Sequence, residues 1–145
     1  MLSLDAQKGA YDPPPIGTDD MARILLAEDD DSLRGFLKRT LEKSGHYVDA
    51  VADGDAAATQ ADKAPYDLLL TDIVMPGLDG IALAQRMAAR APDTKVMFIT
   101  GFAAVTMRAG REMPGARVLS KPFHLNDLVI EVQRVLATEN AHGRL

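Results

Sequence analysis

Leu68-Leu69-Leu70-Thr71-Asp72-Ile73-Val74-Met75-Pro76-Gly77 is the stretch on which the fold turns. A short apolar run with no polar alternation reads as a strand buried on both faces, and Pro76-Gly77 stops it. Beyond the turn, Ile81, Ala84, Met87 and Ala88 recur at helical spacing. The stretch therefore predicts a strand, a tight turn and a helix, with one carboxylate, Asp72, at the strand's carboxyl end.

The same unit repeats outward in both directions. Apolar runs predict strands at Ile24–Ala27, Tyr47–Val51, Val96–Thr100 and Ala116–Ser120. Leu33, Phe36, Leu37 and Leu41 mark one helical face, and Gly45 is placed to cap that helix. An alanine-rich helix follows Asp53-Gly54 and stops at Pro65, while Leu125, Leu128, Val129, Val132, Val135 and Leu136 mark the last helix. The segment from Ala103 to Met113 is the least specified helix, interrupted by Gly110 and lacking a clear apolar stripe. Five βα units predict a single doubly wound α/β domain with a parallel sheet in the flavodoxin-like order, whose ligands sit beyond the carboxyl ends of the strands.

Length and composition bound what such a domain does. At 145 residues the chain suffices for one core. Residues 22–138 are expected to fold, preceded by a flexible N-terminal extension at 1–21 that contains Pro13, Pro14, Pro15 and Gly17, and followed by a C-terminal tail at 139–145. No apolar run is long enough to span a membrane and the start lacks a basic, then apolar, secretory pattern, so a cytoplasmic location is expected. The absence of cysteine excludes a disulfide framework and thiolate metal sites. A net charge of -5 argues against a non-specific nucleic-acid binder and toward protein partners.

In a parallel sheet every strand's carboxyl end opens on one edge. That edge would collect Glu28-Asp29-Asp30-Asp31, Asp72, Thr100-Gly101 and Lys121-Pro122. A carboxylate such as Asp72 attacks a phosphoryl group once the repulsion between the two anions is offset, and a hard divalent cation does this. Magnesium needs only one or two carboxylates and a carbonyl, because it keeps several waters. Asp29 and Asp72 are candidates for direct ligation, with Glu28 acting through water. Lys121 would pair with Asp72 before modification and with a phosphoryl oxygen afterwards, and the Thr100 hydroxyl would donate to another. Taken singly, these residues have plainer readings: Asp30 or Asp31 as a helix cap, Asp72 as a turn residue, and Lys121 as a solvated surface charge.

Together, the acid pair Glu28-Asp29, the Leu70–Gly77 run, Asp79-Gly80, Thr100-Gly101 and Lys121-Pro122-Phe123 resemble the receiver domains of response regulators. The resemblance covers Ala22 to about Thr138. It implies phosphorylation of Asp72 by a histidine kinase or histidine phosphotransferase, Mg2+ at Glu28, Asp29, Asp72 and the Val74 carbonyl, and a cis peptide before Pro122. Val118 departs from the pattern: receivers usually carry an aromatic switch residue three positions before the lysine. Phe102, directly after Thr100-Gly101, resembles a subgroup with the aromatic in that loop, and is the expected replacement.

Met97–Val105 and Val118–Leu125 are similar to the CpdR-type single-domain regulators of alphaproteobacteria. That similarity implies a role in regulated proteolysis, with the unphosphorylated form engaging ClpX of the ClpXP protease and phosphorylation ending the engagement. It also implies recruitment to the cell pole. Few residues follow the last helix, so output is expected to pass through the face of the fourth helix, fifth strand and fifth helix. The alternative is a phosphorelay intermediate that passes the phosphoryl group to another histidine. An aspartyl phosphohydrolase is disfavoured, since Val74 stands where that class places a second aspartate.

Overall fold

The computed structural model describes residues 21–138; the expected tail and all of the expected extension except Met21 lie outside the described residues. Five strands, β1 (Arg23–Ala27), β2 (Tyr47–Val51), β3 (Leu68–Asp72), β4 (Lys95–Thr100) and β5 (Arg117–Ser120), form one parallel sheet in the order β2-β1-β3-β4-β5. Five helices alternate with them: α1 (Asp31–Lys43), α2 (Gly54–Lys63), α3 (Gly80–Arg90), α4 (Ala103–Glu112) and α5 (Leu125–Ala137). This is the flavodoxin-like order that the alternating pattern predicts.

Strand side chains alternate between faces, and the sheet therefore carries two cores. Ile24, Leu26, Leu68, Leu70, Met97 and Ile99 pack with Leu37 and Leu41 of α1 and Leu128 and Val132 of α5. On the other face, Leu25, Leu69 and Phe98 pack with Ala57 and Ala58 of α2, Ile81, Leu83, Ala84 and Met87 of α3, and Ala109 of α4.

Burial on both faces holds for β1, β3 and most of β4, but not for the edge strands. Tyr47 and Arg117 are exposed, and Val118 and Leu119 are only half-buried, because a strand with one neighbour meets fewer covering helices. Phe36, Ala88 and Leu125 also leave the apolar faces assigned to them: each is exposed, and Arg39 lies over the Phe36 ring at 5.1 Å. Leu83 takes the core place beside Ile81 and Ala84.

Three helix starts are fixed by an aspartate side chain that accepts an orphan amide. Asp30 Oδ1 accepts from Leu33 N at 2.9 Å, Asp53 Oδ1 from Ala56 N at 2.7 Å, and Asp79 Oδ1 from Ala82 N at 2.8 Å. Asp30, and not Asp31, is thus the cap of α1. Gly45 follows the C-cap Ser44 with φ of +100°, the left-handed conformation expected of a helix stop. By contrast, α4 and α5 begin at Phe102 and His124 without a side-chain cap bond. Residues 103–112 do form a helix, with Met113 as its C-cap, but Ala109 is its one buried residue.

Candidate functional site

The order of the strands reverses between β1 and β3, and the crevice beyond their carboxyl ends is where such sheets hold ligands. β1 delivers Glu28 and Asp29 to it and β3 delivers Asp72. Carboxylate oxygens of the three lie within 4.8 Å of one another. β4 and β5 bring Thr100 and Lys121 to the same edge, joined by Lys121 N donating to Thr100 O at 2.8 Å.

Lys121 bridges the acid cluster: its Nζ donates to Asp72 Oδ2 at 2.9 Å and stands 3.1 Å from Glu28 Oε1. Asp72 Oδ1 accepts from Val74 N at 3.3 Å, which folds the following loop back over the carboxylate. Glu28 is fully buried; its Oε2 accepts from Asp30 N at 3.0 Å, and Arg34 Nη1 donates to its backbone carbonyl at 2.9 Å. Glu28 Oε1 has the Lys121 charge beside it but no donor in hydrogen-bonding geometry. A buried carboxylate oxygen left in this way, beside two more carboxylates of which Asp29 is open to solvent, fits a hard cation that retains water.

Burial pushes the Glu28 carboxyl above its ordinary pKa, and the Asp72 charge adds to the push, against the Asp30 amide and Lys121. For Lys121, burial pulls downward, but Asp72 and Glu28 together outweigh it and hold the ammonium above the usual lysine value. The site is thus short of positive charge: one ammonium serves two buried carboxylates.

Thr100 is buried, and its Oγ1 accepts from Phe102 N at 3.1 Å. That bond leaves the hydroxyl proton free to donate elsewhere. Phe102 itself is 60% exposed. Val74 is exposed on the loop after β3, and the Lys121-Pro122 peptide is cis.

Every candidate residue named from the sequence therefore lies at this edge or in a loop leaving it. Sequence reasoning did not find the supporting contacts. Arg34 reaches back from α1, and two glycines admit close backbone approach. A Cβ on Gly80 would stand 2.1 Å from Asp72 O, and one on Gly54 would stand 1.9 Å from Leu78 O. The Asp53-Gly54 and Asp79-Gly80 pairs were the available signal, since each puts a capping residue directly before a residue without a side chain.

The response regulator receiver domain family matches residues 24–133. Response regulator receiver protein CpdR of Brucella abortus is 53% identical over 117 residues, which is 80% of this chain and 98% of CpdR. Other curated relatives, transcriptional regulatory proteins among them, are longer, and the chain spans about half of their length. Among solved structures, the non-phosphorylated receiver domain of HemR from Leptospira biflexa superposes with a TM-score of 0.73 at 30% identity, covering 83% of this chain and 98% of that one. The receiver domain of the hybrid histidine kinase CckA gives 0.67 at 33% identity, covering 79% and 98%. Among the described residues, no helix is long and apolar enough to cross a membrane. With the strand order, the acid pocket, the bridging lysine and these likenesses in agreement, the chain belongs to the response regulator receiver domain family.

Proposed function

We propose that this chain is a phosphorylation-controlled interaction module, modified on Asp72 and acting on ClpXP-dependent proteolysis in its unphosphorylated form. The observation that carries the proposal is the Lys121 ammonium held between Asp72 and Glu28, on a cluster of three carboxylates. An Asp72 oxygen attacks the phosphorus of a phosphohistidine on a histidine kinase or phosphotransferase; the P–N bond breaks as the acyl phosphate forms. Mg2+ bound by Glu28, Asp29, Asp72 and the Val74 carbonyl would supply the positive charge that offsets repulsion between the anions. Lys121 then has a phosphoryl oxygen to pair with, and Thr100 donates its free hydroxyl proton to another. Phe102, next to Thr100 in the chain and exposed, moves with that threonine and carries the change to α4.

The chain's likeness to CpdR over nearly all of that protein's length supports an output made by the domain's own surface, the α4–β5–α5 face. ClpX is the partner proposed for it, in the cytoplasm and at the cell pole. Residues 22–138 constitute the receiver unit, with 1–21 and 139–145 as extension and tail.

A pull-down of ClpX with Mg2+, with and without a small-molecule phosphodonor, tests this reading with Asp72→Asn as control. Binding by the unmodified protein is expected to be lost on phosphorylation and to persist in the variant. Absence of binding in every state would overturn the protease role. A second reading, a phosphorelay intermediate, is favoured by the likeness to the receiver domain of CckA, a hybrid histidine kinase. Rapid return of the phosphoryl group to a histidine phosphotransferase, without a stable output partner, would establish it.

A further inference from the structure

The loop between β3 and α3, residues 73–79, begins beside Asp72 and is closed by Gly80 N donating to Ile73 O at 2.8 Å. Its last residue, Asp79, uses its two oxygens for different tasks. Oδ1 caps α3 through the Ala82 amide, while Oδ2 accepts from Arg108 Nη2 at 3.1 Å. Arg108 lies in the middle of α4, 29 residues away in sequence, and its Nε donates to Glu112 Oε2 at 2.9 Å one turn further on. The guanidinium is thus held between a carboxylate of its own helix and a carboxylate already fixed by capping another.

Besides this pair, α4 is held to the core by Ala109 and the partly buried Val105. It has no side-chain cap, Ala103, Ala104 and Met107 are exposed, and Ala109 is its one buried residue. An exposed ion pair contributes little on its own, mostly because ordering two long side chains costs entropy. Here Arg108 and Asp79 are each about two-thirds buried, and each is already ordered by a second bond, which lowers that cost.

We propose that Arg108 is a positioning residue that straps α4 to the loop carrying Val74, so that a change at Asp72 reaches the middle of α4 through Asp79 as well as its start through Thr100. The coupling half of this inference rests on the reading of Asp72 as phosphoacceptor; the strap itself does not. It gives α4 two tethers to the site, one at Phe102 and one at Arg108, and the second fixes how the helix turns when the first moves.

Amide hydrogen exchange on the whole chain tests it, without ligand and with Mg2+ and beryllium fluoride as the phosphoryl mimic. Arg108→Ala and Asp79→Asn are the variants, the second retaining the ability to cap α3. Without ligand, amides of 73–80 and 103–112 are expected to exchange roughly two- to five-fold faster in either variant, the range for breaking a partly exposed ion pair, with α1 and α5 unchanged. The double variant adds nothing further, and Arg108→Lys restores protection. With ligand, the response in the middle of α4, around Arg108, is lost in Arg108→Ala, while that at the start of the helix through Thr100 and that of the 73–80 loop persist. Unchanged exchange in both segments would overturn the strap, and a full α4 response in Arg108→Ala would overturn the coupling. No response in the unsubstituted protein would overturn the phosphoacceptor reading and the coupling together, leaving the ligand-free comparison to decide the strap.

Discussion

At the scale of single residues, charge is the deciding quantity. Asp72→Asn is expected to keep the fold and abolish labelling by a small-molecule phosphodonor, read as loss of hydroxylamine- and base-labile phosphate; retained label would place the acceptor elsewhere. Lys121→Ala is expected to leave Mg2+ binding largely intact, because the ammonium is not a ligand, but to remove the response of output to phosphorylation. Glu28→Gln has a two-sided outcome. A buried carboxyl whose pKa is raised in the folded state holds its charge at a cost to stability, a cost relieved as pH falls through the raised value. The amide avoids that cost, so thermal stability without Mg2+ should not fall, whereas Mg2+ binding should weaken. A lower melting temperature together with undiminished Mg2+ binding would contradict this assignment. These residues were legible in the sequence because each ends a strand, and parallel strands end on one edge. Arg34 and Arg108 were not, because their reach depends on where a helix lies against the sheet, which no local pattern states.

At the scale of elements, close backbone approach and edge pairing set the expectations. Gly80→Ala would drive a methyl group into the Asp72 carbonyl, with the Cβ 2.1 Å from its oxygen. Its neighbours there are backbone and not flexible side chain. It is expected to cost about 1–3 kcal/mol or more by overpacking and to displace the Asp72 backbone, measurable as a lower urea midpoint together with weaker Mg2+ binding. At the other end of the sheet, Arg117 on edge strand β5 donates to Glu131 on α5 at 2.6 Å, and this holds the Glu131 carboxyl below its usual value. A depressed carboxylate contributes stability above its unfolded pKa and loses it as pH falls through the folded one. The difference in unfolding free energy between the protein and Arg117→Ala should therefore be small but positive at neutral pH and shrink as pH falls through the lowered Glu131 value. Strands were legible from apolar runs and α1, α3 and α5 from helical period, whereas α4 carries no clear stripe. The strands' degree of burial was not legible, since Val118 and Leu119 read like core residues until the strand is known to lie at an edge.

At the scale of the molecule, the two cores stand on opposite faces of one sheet, and the strands they share are indispensable to both. Phe98→Ala, at a fully buried side chain, is expected to cost about 3–5 kcal/mol, and chemical denaturation should show it as a shifted midpoint with an unchanged slope. The division also orders events in time as the chain leaves the ribosome. The face formed by Leu26, Leu70 and Ile99 keeps part of its cover open until Leu128 and Val132 arrive, near the end of the chain. The other face is closed by α2, α3 and α4, which are made earlier. A nascent chain halted after β5 would carry one finished face and one face covered by α1 alone, a binding surface for holding chaperones and a liability at high concentration. Closure of the second core thus waits on α5, the domain's fifth helix.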